Sequence, residues 1–474
     1  MKTDIIRKDV AVIGGGPAGM AVADKLCDLG ITDIMLLEKE NYLGGVLPQC
    51  IHDGFGLIKF GKNVSGPEYA EIYRRRMGEK NIDVHLCSTV TEVRGNRLTV
   101  ASPDKTLAPQ GLFTLEAGAV VLASGCRERN RSNAGIPGSR AAGIYTAGTA
   151  QAFINLHNLM PGKEIVILGS GDIGLIMARR LTLEGAHVKC VAEIDSVSGG
   201  LKRNIKQCLE DFDIPLLLNT TVTDVFGLSR VTGVQLSSMH FSEENGVFLP
   251  VPGTERRTDC DTLILSAGLI PENSILKDIG APGTDVYPGI FLCGNALYVH
   301  GLVDDVSDSG EQVAKDVAEY ISAGPGSPSA SRYAFSQANE TRAENCRFLS
   351  EKRLKTLADA GRKTITCILC PNSCEIDEDF SGGRCPRGAQ YAREELTDPK
   401  RILTSSVAVD VPASPAHPTV SVRTSGPLPK NRLADAVKAL KDIRVSSPVG
   451  CGDVIRRDFI QKGVDLIATG KFSG

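Results

Sequence analysis

One pattern restricts the possible folds of this chain more than any other. A strand, a glycine turn, a helix and a second strand followed by a glutamate occur twice. In the first copy the apolar run Val10–Ile13 leads into Gly14-Gly15-Gly16-Pro17-Ala18-Gly19. Helical periodicity follows from Ala21 to Leu29, and Ile34–Leu37 ends on Glu38. In the second copy Ile165–Leu168 leads into Gly169-Ser170-Gly171-Asp172-Ile173-Gly174. A helix is predicted over Leu175–Glu184, then a strand over His187–Val191 with Glu193 close behind. Short continuous apolar runs suit strands buried on both faces of a parallel sheet. The repeat predicts an α/β protein with two Rossmann-like domains.

The turn is G-x-G-x-x-G in both copies. Its glycines permit the tight turn, the close approach of a pyrophosphate, and helix–strand packing. The helix N-terminus offers free N–H groups and a positive dipole end to phosphate. Gly14, Gly16, Pro17, Ala18, Gly19 and Glu38 are thus candidate dinucleotide-binding residues, as are Gly169, Gly171, Gly174 and Glu193. A glutamate at the end of the second strand accepts a ribose 2′-hydroxyl and repels a 2′-phosphate. Glu193 therefore points to NAD(H) over NADP(H), with His187 and Lys189 nearby in sequence.

Two further strands end in small residues, Ala119–Gly125 and Thr262–Gly268, as suits backbone that approaches a ligand at the carboxyl edge of a sheet. Gly289–Asn295 precedes a helix whose apolar positions Val306, Val313, Val317 and Ile321 share one face. Ser322–Ser331, rich in Gly, Pro, Ser and Ala, reads as a boundary, followed by a polar helical segment over Glu340–Ala360. A tail with a β-leaning middle (Val407–Val422) and a helix over Asn431–Ile443 completes the chain. The 474 residues suit about three domains.

Composition excludes several classes. A net charge of −3 gives no reason to expect nucleic acid or an anionic membrane as partner. No apolar run approaches the ~18 residues of a membrane span, and Met1–Asp9 does not read as a secretory leader. The 14 cysteines show no extracellular disulfide pattern, which points to a reducing cytoplasm. Four of them, Cys367, Cys370, Cys374 and Cys385, have the spacing C-x2-C-x3-C-x10-C, with Pro386 after the last. Three close thiolates plus a Cys-Pro favour a 4Fe–4S cluster. Structural zinc, which more often uses two C-x-x-C knuckles, is the alternative.

On these motifs residues 1 to about 325 resemble the two-dinucleotide-binding-domain flavoproteins that include thioredoxin reductases. The resemblance implies FAD at the first fingerprint, Gly44-Gly45 against the flavin side, and a chain return at Ala123 and Gly125. It also implies Gly294-Asn295 on the ribitol, where the family usually has Gly-Asp, and an NAD domain inserted in the FAD domain. The redox-active cysteine pair is missing: no C-x4-C follows Gly45, and 127–187 has no C-x-x-C. A narrower resemblance, to flavoprotein subunits accompanying anaerobic glycerol-3-phosphate, amine and opine dehydrogenases, rests on Leu47–Gly56, Gly125–Arg129 and Val299–Asp304. It makes His52 and His300 candidate catalytic groups, a histidine there donating to the flavin N1–O2 edge or to substrate. The tail, about 362–474, resembles a cysteine-rich domain of unknown function that accompanies such flavoproteins.

The expected organisation is FAD domain at 1–159 and 262–325, NAD domain at 160–261, linker and helix at 326–361, and a small cysteine-rich α+β domain at 362–474. The expected activity passes electrons between nicotinamide, flavin and an iron–sulfur cluster, as the electron-transfer component of a glycerol-3-phosphate dehydrogenase-type complex. Two alternatives stand. One is an amine, opine or hydroxyproline dehydrogenase subunit with a structural second nucleotide site. The other is a non-catalytic assembly subunit with structural zinc. A homo-oligomer is compatible with all three readings.

Overall fold

The computed structural model describes residues 5–103, 111–276, 289–324, 364–410 and 419–472. The linker and helix expected over 326–361 lie outside them, as does 325–331 of the expected boundary. In chain order the elements that position the sites begin with β1 (Ile5–Ile13), α1 (Pro17–Asp28), β2 (Ile34–Leu37), α2 (Gly66–Glu79) and β3 (Asp83–His85). Then come β4 (Thr89–Arg94), β5 (Arg97–Ser102), β6 (Gly111–Leu122), β7 (Ile144–Thr146) and α3 (Ala147–His157). Next are β8 (Glu164–Leu168), α4 (Asp172–Leu183), β9 (His187–Ala192), α5 (Lys202–Cys208) and β10 (Leu216–Leu217). β11 (Thr262–Leu265), β12 (Ile290–Leu292) and α6 (Val303–Ala323) follow.

The described residues form two compact bodies. The first takes the chain up to Cys50, Phe55–Arg127 and the segment from Leu269; the second takes Ile51–Gly54, Glu128–Gly268 and the C-terminal tail. In the first body the parallel strands run β3-β2-β1-β6-β12, and β5 and β4 continue antiparallel from the other half of β6. Val10 is in register with both Ile34 and Ala119, so β1 and β6 are central. Met20, Leu26, Val313 and Val317 cover one face together with Tyr69 and Tyr73 of α2. α1 and α6 meet backbone to backbone, since a Cβ at Gly310 would lie 2.4 Å from the Ala18 carbonyl oxygen.

The second body repeats the plan with the parallel order β10-β9-β8-β11-β7. Its middle segment runs from Glu128 to Gly268. β7 pairs with β11 in register Leu263↔Ile144, and α3 follows it. A three-residue strand is too short to show a period, so Ile144–Thr146 is not legible in sequence as part of that sheet.

The tail belongs to this same body. It begins with a hairpin of β13 (Thr364–Thr366) and β14 (Glu375–Asp377), followed by α7 (Pro386–Thr397). A five-stranded sheet with one helix, Leu433–Lys441, completes it. Leu183 of α4 sits in the core of that sheet beside Leu403, Val407 and Val422. Arg401, buried, forks onto Asp211 at 2.5 and 3.1 Å and onto Glu395 at 2.7 Å twice. Lys430 adds a 3.0 Å contact to Asp211. Burial works to raise the Asp211 pKa, but Arg401 and Lys430 outweigh it and hold the carboxyl below its usual range.

Candidate functional site

Both glycine turns lie at carboxyl ends of central strands, where open α/β sheets bind ligands. At the first, the Gly14 N–H donates to the Leu37 carbonyl at 2.8 Å. Gly14 has φ +105°, and a Cβ on it would lie 2.5 Å from the Ala123 oxygen. A Cβ on Gly19 would lie 1.9 Å from the Gly14 oxygen, so only hydrogen fits between turn and helix. Glu38 is buried; its Oε2 accepts the Gly15 N–H at 2.7 Å and its Oε1 the Glu40 N–H at 2.9 Å. α1 starts at Pro17, with no side-chain cap and no acidic residue in its first turn. Its N-terminal N–H groups and dipole are thus open to an anion.

Two further segments close on this turn. A Cβ on Gly45 would lie 3.1 Å from Gly16 Cα, and one on Gly294 would lie 2.7 Å from Ala18 Cβ. The fold therefore gathers Gly14, Gly16, Pro17, Ala18, Gly19, Glu38, Gly44, Gly45, Ala123 and Gly294 around one edge, with Gly125 following β6. Backbone this bare beside an uncapped helix end fits the pyrophosphate of a dinucleotide such as FAD.

Beyond Gly294, Asn295 Oδ1 accepts the His300 backbone N–H at 2.9 Å and faces His300 Nδ1 at 3.1 Å. Asn295 Nδ2 points to Cys126 Sγ at 3.6 Å. Tyr298 stacks on the imidazole at 4.1 Å, and the buried Nε2 has no partner among the described residues. Burial lowers the His300 pKa, against the opposing pull of the Tyr298 backbone. Asp304, to which the sequence assigns no role although it ends the segment Val299–Asp304, lies in the first turn of α6. Its buried carboxylate accepts the N–H groups of Gly56, Ile58 and Lys59 at 3.1, 2.9 and 3.2 Å.

The second turn reproduces the first. The Gly169 N–H donates to the Ala192 carbonyl at 2.7 Å, and a Cβ on Gly174 would lie 2.4 Å from the Gly169 oxygen. Glu193 accepts the Ser170 N–H at 2.9 Å, the Ser170 hydroxyl at 2.5 Å and the Asp195 N–H at 3.1 Å. Gly199-Gly200 lies 155 positions after Gly44-Gly45, the offset that also separates Gly169 from Gly14 and Glu193 from Glu38. The fingerprint alone does not reach that glycine pair, although its spacing from Glu193 repeats the spacing of Gly44-Gly45 from Glu38. A Cβ on Gly199 would lie 3.8 Å from Gly171 Cα and one on Gly200 2.9 Å from the Ser170 oxygen, so this pair also lies against its turn.

The second turn also carries a charge that the first lacks. Asp172, in the first turn of α4 and just after Gly171, accepts the Leu201 N–H at 2.7 Å and the Asn204 amide at 2.8 Å. From that segment the Arg203 N–H donates to Ser373 Oγ at 3.2 Å, and Lys202 meets Glu375 at 3.5 Å. The cysteine loop is therefore seated on α5. His52 belongs to this body, with Nδ1 3.0 Å from the Asp53 carbonyl and its pKa lowered chiefly by burial. It borders a cleft of about 20 Å³ with Arg180 and Thr404, room for about one water.

β13 and β14 hold Cys367 and Cys374 at the neck of a loop, where the Cys367 N–H donates to the Cys374 carbonyl at 2.8 Å. Cys370 stands within the loop, and Ser373 turns it with φ +46°. Cys385 is the exposed N-cap of α7. Burial pushes the Cys367 thiol up, and so do Cys370, Cys374 and Cys385, so all four lie within electrostatic reach. The hydrogen bonds of Arg387 and the Gly388 N–H lower Cys385. Yet among the described residues no three His, Cys, Asp or Glu side chains are arranged to hold a metal ion. The donor set suits a soft metal, but the thiols are not closed into a cage.

Residues 8–287 match the family described as Pyridine nucleotide-disulphide oxidoreductase, and residues 386–470 match Protein of unknown function (DUF1667). The chain is 31% identical to hydrogen cyanide synthase subunit HcnB of Pseudomonas protegens, over 57% of this chain and 58% of that protein. It is 26% identical to a subunit of the opine oxidase of Rhizobium meliloti, over 57% and 52%. It is 24% identical to thioredoxin reductase of Mycolicibacterium smegmatis, over 63% and 91%. The chain thus spans a little over half the length of the first two relatives. Thioredoxin reductase of Lactococcus lactis shares the fold, with TM-score 0.52 and 18% identity, over 67% of this chain and 100% of that one. Among the described residues no helix is long and apolar enough to cross a membrane. With more than half of its length matched, and with both glycine turns built as above, the chain belongs to the pyridine nucleotide-disulphide oxidoreductase family.

Proposed function

We propose that this chain is an NAD(H)-linked, FAD-dependent oxidoreductase subunit that exchanges electrons with a partner protein. The observation that carries this reading is the doubled acid-on-turn geometry: Glu38 on Gly15 and Glu193 on Ser170, each beside a turn whose first and last glycines admit no Cβ. Bound FAD supplies hydride chemistry together with one-electron release. The open N-terminus of α1 binds its pyrophosphate, Glu38 orients its adenosine ribose, and Gly16 and Gly45 let the backbone approach. Asp304 fixes the Gly56–Lys59 loop. In the second body Glu193 selects a free 2′-hydroxyl.

The lack of the cysteine pair near Gly45 calls for another electron exit. The four tail cysteines are its candidates, as ligands of a 4Fe–4S cluster with zinc as the alternative. The core around them is small: Cys367, Ile376, Tyr391 and Ala392 are its buried members. Modules with so little apolar core usually need a metal or cross-link. Relatives named as subunits support a partner chain, for which glycerol-3-phosphate dehydrogenase is the proposed type.

The test is anaerobic purification followed by acid release of flavin, iron and zinc analysis, and titration with NADH and NADPH. The expected result is one FAD per chain, bleached by NADH in preference to NADPH, with iron bound. Zinc alone sinks the cluster assignment. FAD without nicotinamide bleaching favours a second reading, an amine or opine dehydrogenase subunit. Two observations support that alternative: the likeness to the opine oxidase relative, and the carboxylate of Asp172 where a second pyrophosphate would approach.

A further inference from the structure

We propose that His300 is a neutral hydrogen-bond acceptor at the carboxyl edge of the first sheet, with its tautomer set by Asn295, and that its Nε2 receives a hydrogen bond from an N–H or O–H of the bound flavin nucleotide. This deepens, and rests on, the assignment of FAD to the first site. It reverses the donor role expected of this histidine from sequence.

One amide fixes the tautomer. A backbone N–H can only donate, so the Asn295 atom 2.9 Å from the His300 N–H is the oxygen. The amide cannot be turned over without placing N–H against N–H. That same oxygen faces His300 Nδ1 at 3.1 Å, so Nδ1 must carry the ring proton. A neutral imidazole protonated at Nδ1 leaves a bare lone pair on Nε2. Burial favours that neutral form, and no charged side chain contributes to the shift. Nε2 is buried and has no partner among the described residues, although buried polar atoms are nearly always paired.

Position supplies the missing donor. His300 follows β12, a parallel strand of the first sheet, in the loop between Asn295 and α6. Gly294 beside it closes on Ala18 of the glycine turn. A ligand in this crevice passes the carboxyl ends of β1, β6 and β12. Ribityl hydroxyls and the ring N–H of a flavin are donors of the required kind. An ordinary side-chain acceptor such as Asn295 Oδ1 offers them nothing, because it is already committed.

Nitrogen NMR of the full chain with labelled histidine, recorded with FAD bound and after its release, tests this. The expected result is an Nδ1-protonated His300 whose bare Nε2 resonance moves when FAD leaves. His300→Phe should weaken FAD binding about tenfold, the worth of one buried hydrogen bond. His300→Gln, which keeps an acceptor oxygen, should recover most of that loss. Asn295→Asp places a carboxylate on Nδ1, so the imidazole should titrate at higher pH and FAD should bind more weakly as Nε2 gains its proton. A proton found on Nε2 in the FAD-bound wild type overturns the proposal. An Nε2 resonance indifferent to FAD, with unchanged binding in His300→Phe, does so too while leaving FAD in place. A chain that takes up no FAD overturns this proposal and the reading beneath it together.

Discussion

The two glycine turns are the same device put to different use. Gly14, Glu38 and Gly44 correspond to Gly169, Glu193 and Gly199 at one constant offset, and both glutamates bond to the second residue of their turn. The differences lie in what surrounds them. Glu38 is buried and holds bare Gly15; Glu193 is half-buried and also holds the Ser170 hydroxyl. The first helix begins with Pro17 and no charge, so its dipole is open to a ligand. The second begins with Asp172, whose carboxylate anchors Leu201 and Asn204, and through that segment the cysteine loop. One turn carries no such anchor. The other is also a structural joint.

The largest effect should come from the joint's far side. Arg401→Ala leaves Glu395 without its guanidinium and Asp211 with Lys430 in place of a buried fork, and should destabilise the second body by about 3–5 kcal/mol. Thermal unfolding followed by flavin fluorescence and by circular dichroism should then separate into two transitions. The pH dependence has a definite sign. The folded Asp211 pKa is depressed, so its contribution is complete above the unfolded value of about 3.8 and is lost as pH falls through the folded one. Asp211→Asn should flatten stability in that acid window.

The turns themselves come next. Gly19→Ala puts a methyl 1.9 Å from the Gly14 oxygen, and Gly174→Ala puts one 2.4 Å from the Gly169 oxygen. Each should cost about 1–3 kcal/mol in strain. Their functional losses should part company: Gly19→Ala yields a flavin-poor chain, and Gly174→Ala keeps flavin while losing the NADH response. Flavin per chain and NADH bleaching, measured on both variants, check this. Loss of flavin from both would erase the distinction between the bodies.

How far these features are legible in sequence follows from their range. Glu38, Glu193 and both turns can be read because a βαβ unit is local and its period strong. Gly199-Gly200 carries a signal in its spacing, visible only when the two copies are laid over each other at full length. Asp304 ends the segment Val299–Asp304, but nothing local names its role, because its partners Gly56, Ile58 and Lys59 lie about 245 residues away in sequence. The seating of the tail is equally hidden: Arg401 meets Asp211 across 190 positions, and Leu183 reads in sequence as an ordinary helix residue. The four-cysteine spacing names a donor set, but spacing does not fix whether thiols close around a metal.

A matched exchange of the two glutamates sharpens the contrast at smaller scale. Glu193→Ser removes the charge that repels a 2′-phosphate, and should move the NADPH-to-NADH affinity ratio up by about tenfold, or 1.4 kcal/mol. Glu38→Ser should leave that ratio alone. It should instead unpair the Gly15 and Glu40 N–H groups and loosen FAD. Nucleotide titrations on both variants decide whether each acid serves its own ligand.

The smallest expected change is the most pointed, because it pulls two observables in opposite directions. Asp172→Asn keeps an oxygen to accept the Leu201 N–H and the Asn204 amide, so the joint to α5 should survive. What it removes is a negative charge at a helix N-terminus. That charge favours the helix dipole, and its loss should lower stability by about 0.3–1 kcal/mol. The same charge opposes an anionic pyrophosphate at that helix end, so nicotinamide dinucleotide should bind about two- to fivefold more tightly at low ionic strength, with the gain fading as salt rises. A stability loss paired with an affinity gain identifies the second turn as a working nucleotide site that gives up some affinity to anchor the tail. A stability loss with no change in binding at any salt concentration would mean that this turn holds the fold and no ligand.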